Sequence, residues 1–287
     1  MSAERLSLNQ ITTSRWSVRE AAEGCARAGI GTIALWRDKV AEAGGARAAA
    51  AIVRDAGLQL SSLCRGGFFP AADAAGRAAA IDDNRRAIEE AAVLGAPVLV
   101  LVCGGLPDGS RDLPAARAMV RDGIAAVAGE AAACGVRLGV EPLHPMYCAD
   151  RSVVTTLAEA NDLADELDGV GIVIDAYHVW WDPDLEAQVA RAGARIAGFH
   201  VCDWIVPLPA GALLGRGLPG DGCADLVRLR AAVDAAGYAG PIEVEVLNQA
   251  VWDTPGDDVL AQLVADAGTV TGDRVAERRP ANERGVR

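Results

Sequence analysis

The chain contains only three histidines, and each lies beside an acid or an aromatic residue near the end of an apolar, strand-like run. These runs read VRLGVEPLHP, VGIVIDAYHVWW and IAGFHVCDW, and a fourth run, PIEVEVLN, carries two glutamates. Acids and imidazoles at the ends of parallel strands would meet at one edge of a sheet. There they would form a metal site rich in oxygen ligands. The four segments therefore predict a metalloenzyme.

Side-chain alternation predicts which residues of these runs point toward one another. In the fifth predicted strand the apolar Leu138 and Val140 face outward, so Glu141 faces inward. The same reasoning turns His200 and Glu245 inward, and Asp175 ends the sixth predicted strand, so the full set of predicted metal ligands is Glu141, Asp175, His200 and Glu245. Glu243 lies one layer deeper and is predicted to pair with Arg137. Clustered carboxylates repel one another without a cation; three of them with one imidazole favour Mn²⁺, with Mg²⁺, Co²⁺ or Zn²⁺ as alternatives.

Apolar runs alternate with alanine-rich helical stretches along the chain. The predicted strands cover residues 6–13, 32–36, 58–64, 97–103, 136–141, 171–175, 196–201 and 242–247. The predicted helices that follow them cover residues 17–28, 39–55, 79–94, 116–133, 155–167, 185–192, 224–236 and 257–267. This alternation predicts an α/β fold, a single-domain (β/α)₈ TIM barrel over residues 1–271 with a charged C-terminal tail over 272–287. A doubly wound sheet is the alternative, but no GxGxxG turn follows the first strand.

The composition excludes several classes of partner. The chain has 287 residues, 51% of them hydrophobic, and a formal net charge of −12. An acidic surface repels phosphate backbones and anionic lipids, so we predict no nucleic-acid and no membrane partner. The N-terminus lacks a signal-peptide pattern, and seven cysteines do not suggest a secreted disulfide framework, so we expect a cytoplasmic protein. Lys39 is the only lysine and has charged neighbours, which disfavours Schiff-base chemistry.

Further residues near the predicted strand ends are candidates for substrate binding. Trp36, Trp181 and Trp204 would offer flat apolar walls to the faces of a sugar ring, although core packing explains any one of them. Arg65 ends the third predicted strand. It would reach a substrate hydroxyl or carboxylate, or else form a salt bridge within its loop.

These segments resemble the xylose-isomerase-like TIM-barrel superfamily, the sugar isomerase and epimerase family, which also includes inosose dehydratases and apurinic-site endonucleases. The matching segments are Glu-Pro-Leu at 141–143, Asp-Ala-Tyr-His at 175–178, Gly-Phe-His at 198–200, the glycine-rich stretch 215–222 and Gly-Pro-Ile-Glu-Val-Glu at 240–245. The resemblance implies the same four metal ligands, with Glu141 and Glu245 as the catalytic acid and base. It also implies that Arg216 contacts the substrate and that His178 binds the substrate or supports a metal ligand.

The resemblance implies a metal-dependent isomerase or epimerase that moves a proton of a ketose or keto-sugar through an enediolate. His144 is a further catalytic candidate: it would act as an extra base, hold a substrate hydroxyl, or only hydrogen-bond its own loop. The alternatives are a lyase or dehydratase on a keto-inositol or 3-keto-glycoside, C-glycoside cleavage included, and a barrel that serves as a subunit of a larger complex. A homo-oligomer is also compatible with the sequence. An apurinic-site nuclease is disfavoured, because the chain has only three histidines and a net charge of −12.

Overall fold

The computed structural model describes residues 5–209 and 211–270, in which eight parallel strands close into a barrel. The barrel strands are β1 (Leu6–Asn9), β2 (Thr32–Trp36), β3 (Gln59–Gly67), β4 (Val98–Val102), β5 (Arg137–Glu141), β6 (Val170–Asp175), β7 (Ile196–Val201) and β10 (Ile242–Val244). They pair in the order β1-β10-β7-β6-β5-β4-β3-β2. The predicted TIM barrel is confirmed, and each predicted strand overlaps one of these eight. The tail predicted at 272–287 lies outside the described residues.

The helices surround the barrel in the predicted alternation, with several differences in individual elements. They are α1 (Val18–Ala28), α2 (Arg37–Glu42), α3 (Ala46–Asp55), α4 (Ala74–Leu94), α5 (Leu113–Ala133), α6 (Leu157–Glu166), α7 (Ala176–Val179), α8 (Leu185–Ala192), α9 (Leu226–Ala235), α10 (Gln249–Asp253) and α11 (Gly256–Val270). The single helix predicted over 39–55 is wrong, because Gly44 and Gly45 have φ angles of 94° and 98° and separate α2 from α3. The first strand was predicted to run to residue 13 but ends at Asn9. The side chain of Asn9 accepts a hydrogen bond from the backbone N–H of Ile11 and caps a 3₁₀ turn.

The main core lies between the barrel and the helices. Outward-facing strand residues such as Leu99, Leu138 and Phe199 are fully buried in it. A second, smaller cluster packs within the barrel and consists of Cys64, Val98, Val100 and Val173. The outward-facing side chains of the strands pack in the main core. Because side chains alternate between the two faces of a strand, the acids and the histidine of β5, β7 and β10 point toward the barrel axis. Within the described residues, none of the helices combines the length and the apolar content that a bilayer crossing requires.

A short antiparallel ribbon extends the connection between β7 and β10. It pairs β8 (Asp203–Trp204) with β9 (Arg216–Gly217). The buried carboxylate of Asp203 accepts hydrogen bonds from the backbone N–H groups of Gly220 and Ala224, each at 3.0 Å. These bonds fix the glycine-rich stretch next to the ribbon. The ribbon brings Arg216 over the carboxyl ends of the barrel strands, where the candidate site lies.

Candidate metal centre

The four predicted ligands lie together at the carboxyl ends of neighbouring strands. Glu141 ends β5, Asp175 ends β6, His200 lies on β7, and Glu245 follows β10 by one residue. Each side chain is buried, and one potential ligand atom from each lies within 4.8 Å of those of the others. The group offers three carboxylates and one imidazole, which are donors that suit a divalent cation.

His200 directs its two ring nitrogens at different acids. Nε2 lies 3.2 Å from Oε1 of Glu243, its register partner on the adjacent strand β10. Nδ1 lies 3.1 Å from Oε1 of Glu141 and 3.8 Å from Oε2 of Glu245. A proton on Nε2 that is donated to Glu243 leaves the lone pair of Nδ1 free for a metal ion. The ring is therefore oriented as a metal ligand would be.

Glu243 has a role that the sequence did not reveal. Its carboxylate accepts hydrogen bonds from Asn9 Nδ2 at 2.7 Å, Ser61 Oγ at 2.8 Å and Ser62 Oγ at 3.1 Å. The predicted ion pair with Arg137 is not formed among the described residues; Arg137 donates instead to a backbone carbonyl just before β7. The reason is the strand order, because β5 is three positions from β10 in the barrel, whereas His200 is on the adjacent strand.

Two buried atoms of the predicted ligands have no hydrogen-bond partner within residues 5–209 and 211–270. They are Glu141 Oε1 and His200 Nδ1, which lie close together without the alignment of a hydrogen bond. Buried polar atoms are nearly always paired, because an unpaired one costs about 1–3 kcal/mol. A cation that contacts both atoms would satisfy them together. The residues present therefore fit a divalent metal ion.

Burial and neighbouring charges act differently on the three carboxylates. Burial raises the pKa of Asp175 to about 7, although the charge of Arg216 opposes the change. Burial likewise raises the pKa of Glu141, and the charge of Glu245 adds to this effect. For Glu245 burial acts in the same direction, but Arg216 and His200 outweigh it and lower the pKa to about 2. A bound divalent cation would favour the ionised form of all three groups.

Arg216, which the resemblance implied as a substrate contact, reaches into the centre itself. Its Nη1 donates to Asp175 Oδ2 and to Glu245 Oε2, each at 2.8 Å. Its guanidinium also lies 4.8 Å from the centre of the Tyr177 ring. The side chain is buried, so these charge-assisted bonds are shielded from water. Arg216 thus offsets part of the negative charge of the carboxylates and holds two of them in place.

His178 is buried beside Arg216. Its Nδ1 lies 3.1 Å from the backbone nitrogen of His144. Nε2 lies 3.2 Å from Arg216 Nη2 and 3.7 Å from Asp175 Oδ2. Burial and the charge of Arg216 lower the pKa of His178 well below its usual range, so the ring is neutral at pH 7. Both ring nitrogens thus face donors, and the neutral ring accepts from either His144 or Arg216 but not from both.

The predicted aromatic walls form a ring cluster around His144. The His144 ring centre lies 5.3 Å from that of Trp181 and 5.4 Å from that of Trp204. Trp204 also stacks on Tyr177 at 4.7 Å, and His144 Nδ1 accepts the backbone amide of Met146. His144, Trp181 and Trp204 are not among the described residues that line the cleft above the four ligands. The structure places them beside the site rather than on its walls.

A cleft with about 480 Å³ of empty space opens at the four-residue group. Its lining includes the predicted residues Trp36, Arg65, His178 and Arg216, together with Glu141 and Glu245. Arg151 also lines it and was not predicted, because it follows β5 in a loop where no apolar alternation marks its position. Asn9 was missed as well. Its position at the end of the first strand was the available signal, and its amide contacts Glu243 and Glu245 at 2.7 and 3.1 Å.

The closed parallel barrel and its acidic centre define a class of proteins, and sequence comparison gives the family. The model of the xylose isomerase-like TIM barrel matches residues 22–265. The chain belongs to this family. A curated relative, 3-dehydroshikimate dehydratase of Pseudomonas aeruginosa, is 31% identical over 170 residues, which are 55% of this chain and 24% of the relative. The chain thus spans about a quarter of the length of that relative.

Solved structures share the fold over nearly the whole chain. Protein SMc04130 of Sinorhizobium meliloti 1021 is 52% identical, with a TM-score of 0.89 over 92% of this chain and 97% of that one. The IOLI protein with a bound zinc atom is 20% identical, with a TM-score of 0.82 over 94% and 99% of the two chains. D-psicose 3-epimerase, solved in the presence of D-fructose, is 18% identical, with a TM-score of 0.75 over 93% and 99%.

Proposed function

We propose that the protein is a metal-dependent isomerase or epimerase that moves a proton next to the carbonyl of a ketose or keto-sugar. The observation that carries the proposal is the buried group of Glu141, Asp175, His200 and Glu245, whose potential ligand atoms lie within 4.8 Å of one another. A divalent cation, Mn²⁺ in this proposal, supplies there a Lewis acid for the carbonyl and an adjacent hydroxyl. The family, the zinc-bound IOLI protein and D-psicose 3-epimerase support the proposal.

Glu141 and Glu245 are the proposed acid and base. They come from the ends of β5 and β10, which are separated in the barrel by β6 and β7, so they approach a substrate from different sides. One carboxylate takes the proton from the carbon next to the carbonyl. The other returns a proton to the enediolate. Return to the same carbon on its opposite face gives an epimer, whereas return to the neighbouring carbon, with a proton shift between the two oxygens, gives an isomer.

Residues of the cleft would orient the substrate. Neutral His178 lies beside Arg216 in the wall of the cleft and would contact a substrate oxygen there. Arg216 Nε is buried and without a hydrogen-bond partner among the described residues, which makes it an available donor. Trp36 would offer a flat wall to the carbon skeleton, and its indole N–H is already bonded to Asn9. In this proposal Trp181 and Trp204 contribute from beside the cleft.

A dehydratase or related lyase is the second candidate, and the match to 3-dehydroshikimate dehydratase favours it. Elimination begins with the same removal of a proton next to a carbonyl, so Glu141 and Glu245 would keep their roles. It needs in addition a proton donor for the leaving group, which is the hydroxyl of a keto-inositol or the aglycone of a 3-keto-glycoside. His144 is the proposed donor, and keto-inositols and 3-keto-glycosides, C-glycosides included, are the proposed substrates.

Hydrogen exchange with solvent separates these reactions. Protein loaded with Mn²⁺ is incubated in D₂O with ketoses and with cyclic keto-polyols, and protein and metal are removed before ¹H NMR. Deuterium at carbon with every hydroxyl retained supports the isomerase or epimerase. Loss of water with a new carbon–carbon double bond supports the dehydratase. If no substrate gains deuterium or changes relative to protein stripped with a chelator, both proposals fail.

We further propose that the enzyme acts on its small molecule in the cytoplasm. All seven cysteines are free, as expected of a reducing compartment. The net charge of −12 gives little reason to expect a polyanionic partner. Association into a homo-oligomer or with a partner subunit stays a prediction.

A further inference from the structure

Arg65 lines the cleft without an acidic partner. It lies on β3, with its guanidinium 5.4 Å from the ring centre of Trp36 and 4.9 Å from that of Phe68. Among the described residues it makes no ion pair and no hydrogen bond. Such an arginine is unusual in a chain with 39 acidic and 27 basic residues, where a carboxylate partner is easily found. Stacking uses the faces of the guanidinium and leaves the N–H groups at its edge free.

A second arginine lines the same cleft. Arg151 is half-buried, and its only acidic contact among the described residues is a long one, 3.8 Å from Nε to Asp150 Oδ2. The Asp150 side chain is 66% exposed, so water weakens this attraction further. Burial lowers the pKa of Arg65 most, and the positive charge of Arg151 lowers it further. The two arginines therefore repel each other, and an anion beside both would relieve the repulsion.

The remaining charges of the cleft do not supply this anion. Arg216 already pairs with Asp175 and Glu245. Glu141 and Glu245 belong to the proposed metal centre, whose cation would compensate them. Asp38 and Glu141 attract Arg65, but among the described residues no carboxylate lies within ion-pair distance of its guanidinium, and Arg151 has only its long contact with Asp150. A bound ligand is the remaining source of compensation.

We propose that Arg65 and Arg151 bind a carboxylate of the substrate, so that the enzyme acts on a keto-polyol acid in preference to a neutral sugar. The inference rests on the proposed function, because the metal centre would hold the keto end of the same molecule. The edge of a planar guanidinium matches the two oxygens of a carboxylate. A phosphate group is favoured less, because phosphate sites typically use free backbone amides at a helix N-terminus. The first amides of α7 and α10, which begin beside this cleft, already donate to Asp175 and Asn248.

Matched ligand pairs test the proposal by isothermal titration of the Mn²⁺-loaded full chain. The pairs are D-fructuronate with D-fructose, and 3-dehydroshikimate with its methyl ester. We expect at least one acid to bind about ten- to a hundredfold more tightly than its neutral partner, as for a charge-assisted hydrogen-bonded pair. Arg65→Gln should remove this preference while leaving the affinity for the neutral partner within about twofold, and Arg65→Lys should restore part of it. Arg54→Gln is the matched control, because Arg54 is exposed and paired with Asp55 on the outer helix α3.

The outcomes separate this inference from the proposed function. The inference is overturned if neither acid binds more tightly than its partner, or if Arg65→Gln leaves the preference unchanged. Tighter binding of D-fructose 6-phosphate than of D-fructuronate would also overturn it, in favour of a phosphate. Because the readout is binding, a preference for acids without deuterium exchange would contradict only the proposed reaction. Exchange with neutral ketoses and no preference for acids would contradict only the inference.

Discussion

Replacing Glu243 with glutamine should weaken metal binding while leaving the fold intact. Glu243 is buried and contacts Asn9, Ser61, Ser62 and His200 at 2.7, 2.8, 3.1 and 3.2 Å. Glutamine keeps the shape but replaces one acceptor oxygen with an NH₂ group, so at least one of these donors loses its acceptor. In either orientation of the amide, Nε2 of His200 loses its charged acceptor, so the ring is held less firmly with Nδ1 toward the other three predicted ligands.

The expected size of this effect follows from the chemistry of residues that support metal ligands. Removing such a partner typically costs 10- to 100-fold in metal affinity, or about 1.4–2.7 kcal/mol. Without metal, the change removes the attraction between Glu243 and His200 as well as the repulsion between Glu243 and the other buried carboxylates. These two effects oppose each other, so the melting temperature of the metal-free protein should change little. Metal affinity and stability should therefore respond differently to Glu243→Gln.

Titration with Mn²⁺ against a competing chelator measures the affinity, and circular dichroism measures the melting temperature. Glu186→Gln is the matched control, because it makes the same chemical change at an exposed residue that pairs with Arg228. Glu243→Gln with unchanged Mn²⁺ affinity would refute the proposed orientation of His200. A large loss of stability in the metal-free protein with unchanged affinity would show that Glu243 only holds the barrel together.

Three further changes have distinct expected results. Glu245→Gln should lower the rate of deuterium exchange by about 10²- to 10⁴-fold, as for loss of an acid–base group, with the circular dichroism spectrum retained; an unchanged rate would remove Glu245 from the mechanism. Stripping the protein with a chelator should abolish exchange, and added Mn²⁺ should restore it; exchange that persists at a metal content below one-tenth of the protein would exclude metal dependence. Gly67→Ala should destabilise the fold by several kcal/mol in urea unfolding, because the added Cβ would lie 1.9 Å from the carbonyl oxygen of Val102. The control is Gly57→Ala, where φ is also positive but the space is open, and it should cost only about 1–2 kcal/mol. Equal losses of stability in the two variants would contradict the clash.

The alternation of strands with helices and of side chains along each strand predicted the barrel and the meeting of the four predicted ligands, because both depend on local periodicity and on where each strand ends. The apolar residues of the strands that carry Glu141 and His200 recur at every second position, and this spacing sets the face of the strand on which the two side chains lie. The contact between Glu243 and His200 depends on the register of two strands more than 40 residues apart in sequence. Nothing local encodes that register, so Arg137, at a similar depth in another strand, was an equally reasonable partner.

The positions of loop side chains relative to the cleft could not be predicted from the sequence either. Arg151 and the ring packing of His144 depend on how the connection after β5 folds, and irregular segments carry no periodicity from which to infer a face. Trp36 and Arg65 could be placed in the cleft because both lie on barrel strands. Trp181 and Trp204 were assigned to the same surface by proximity in sequence, and the structure puts them around His144 instead.

Crystals grown with Mn²⁺ and measured for anomalous scattering test the central claim most directly, namely that Glu141, Asp175, His200 and Glu245 hold one divalent cation. The account predicts one strong anomalous peak within about 2 Å of an atom from each of these side chains, with Nδ1 as the ligand atom of His200. Absence of a peak there at saturating Mn²⁺, or a peak bound by other residues, would contradict it.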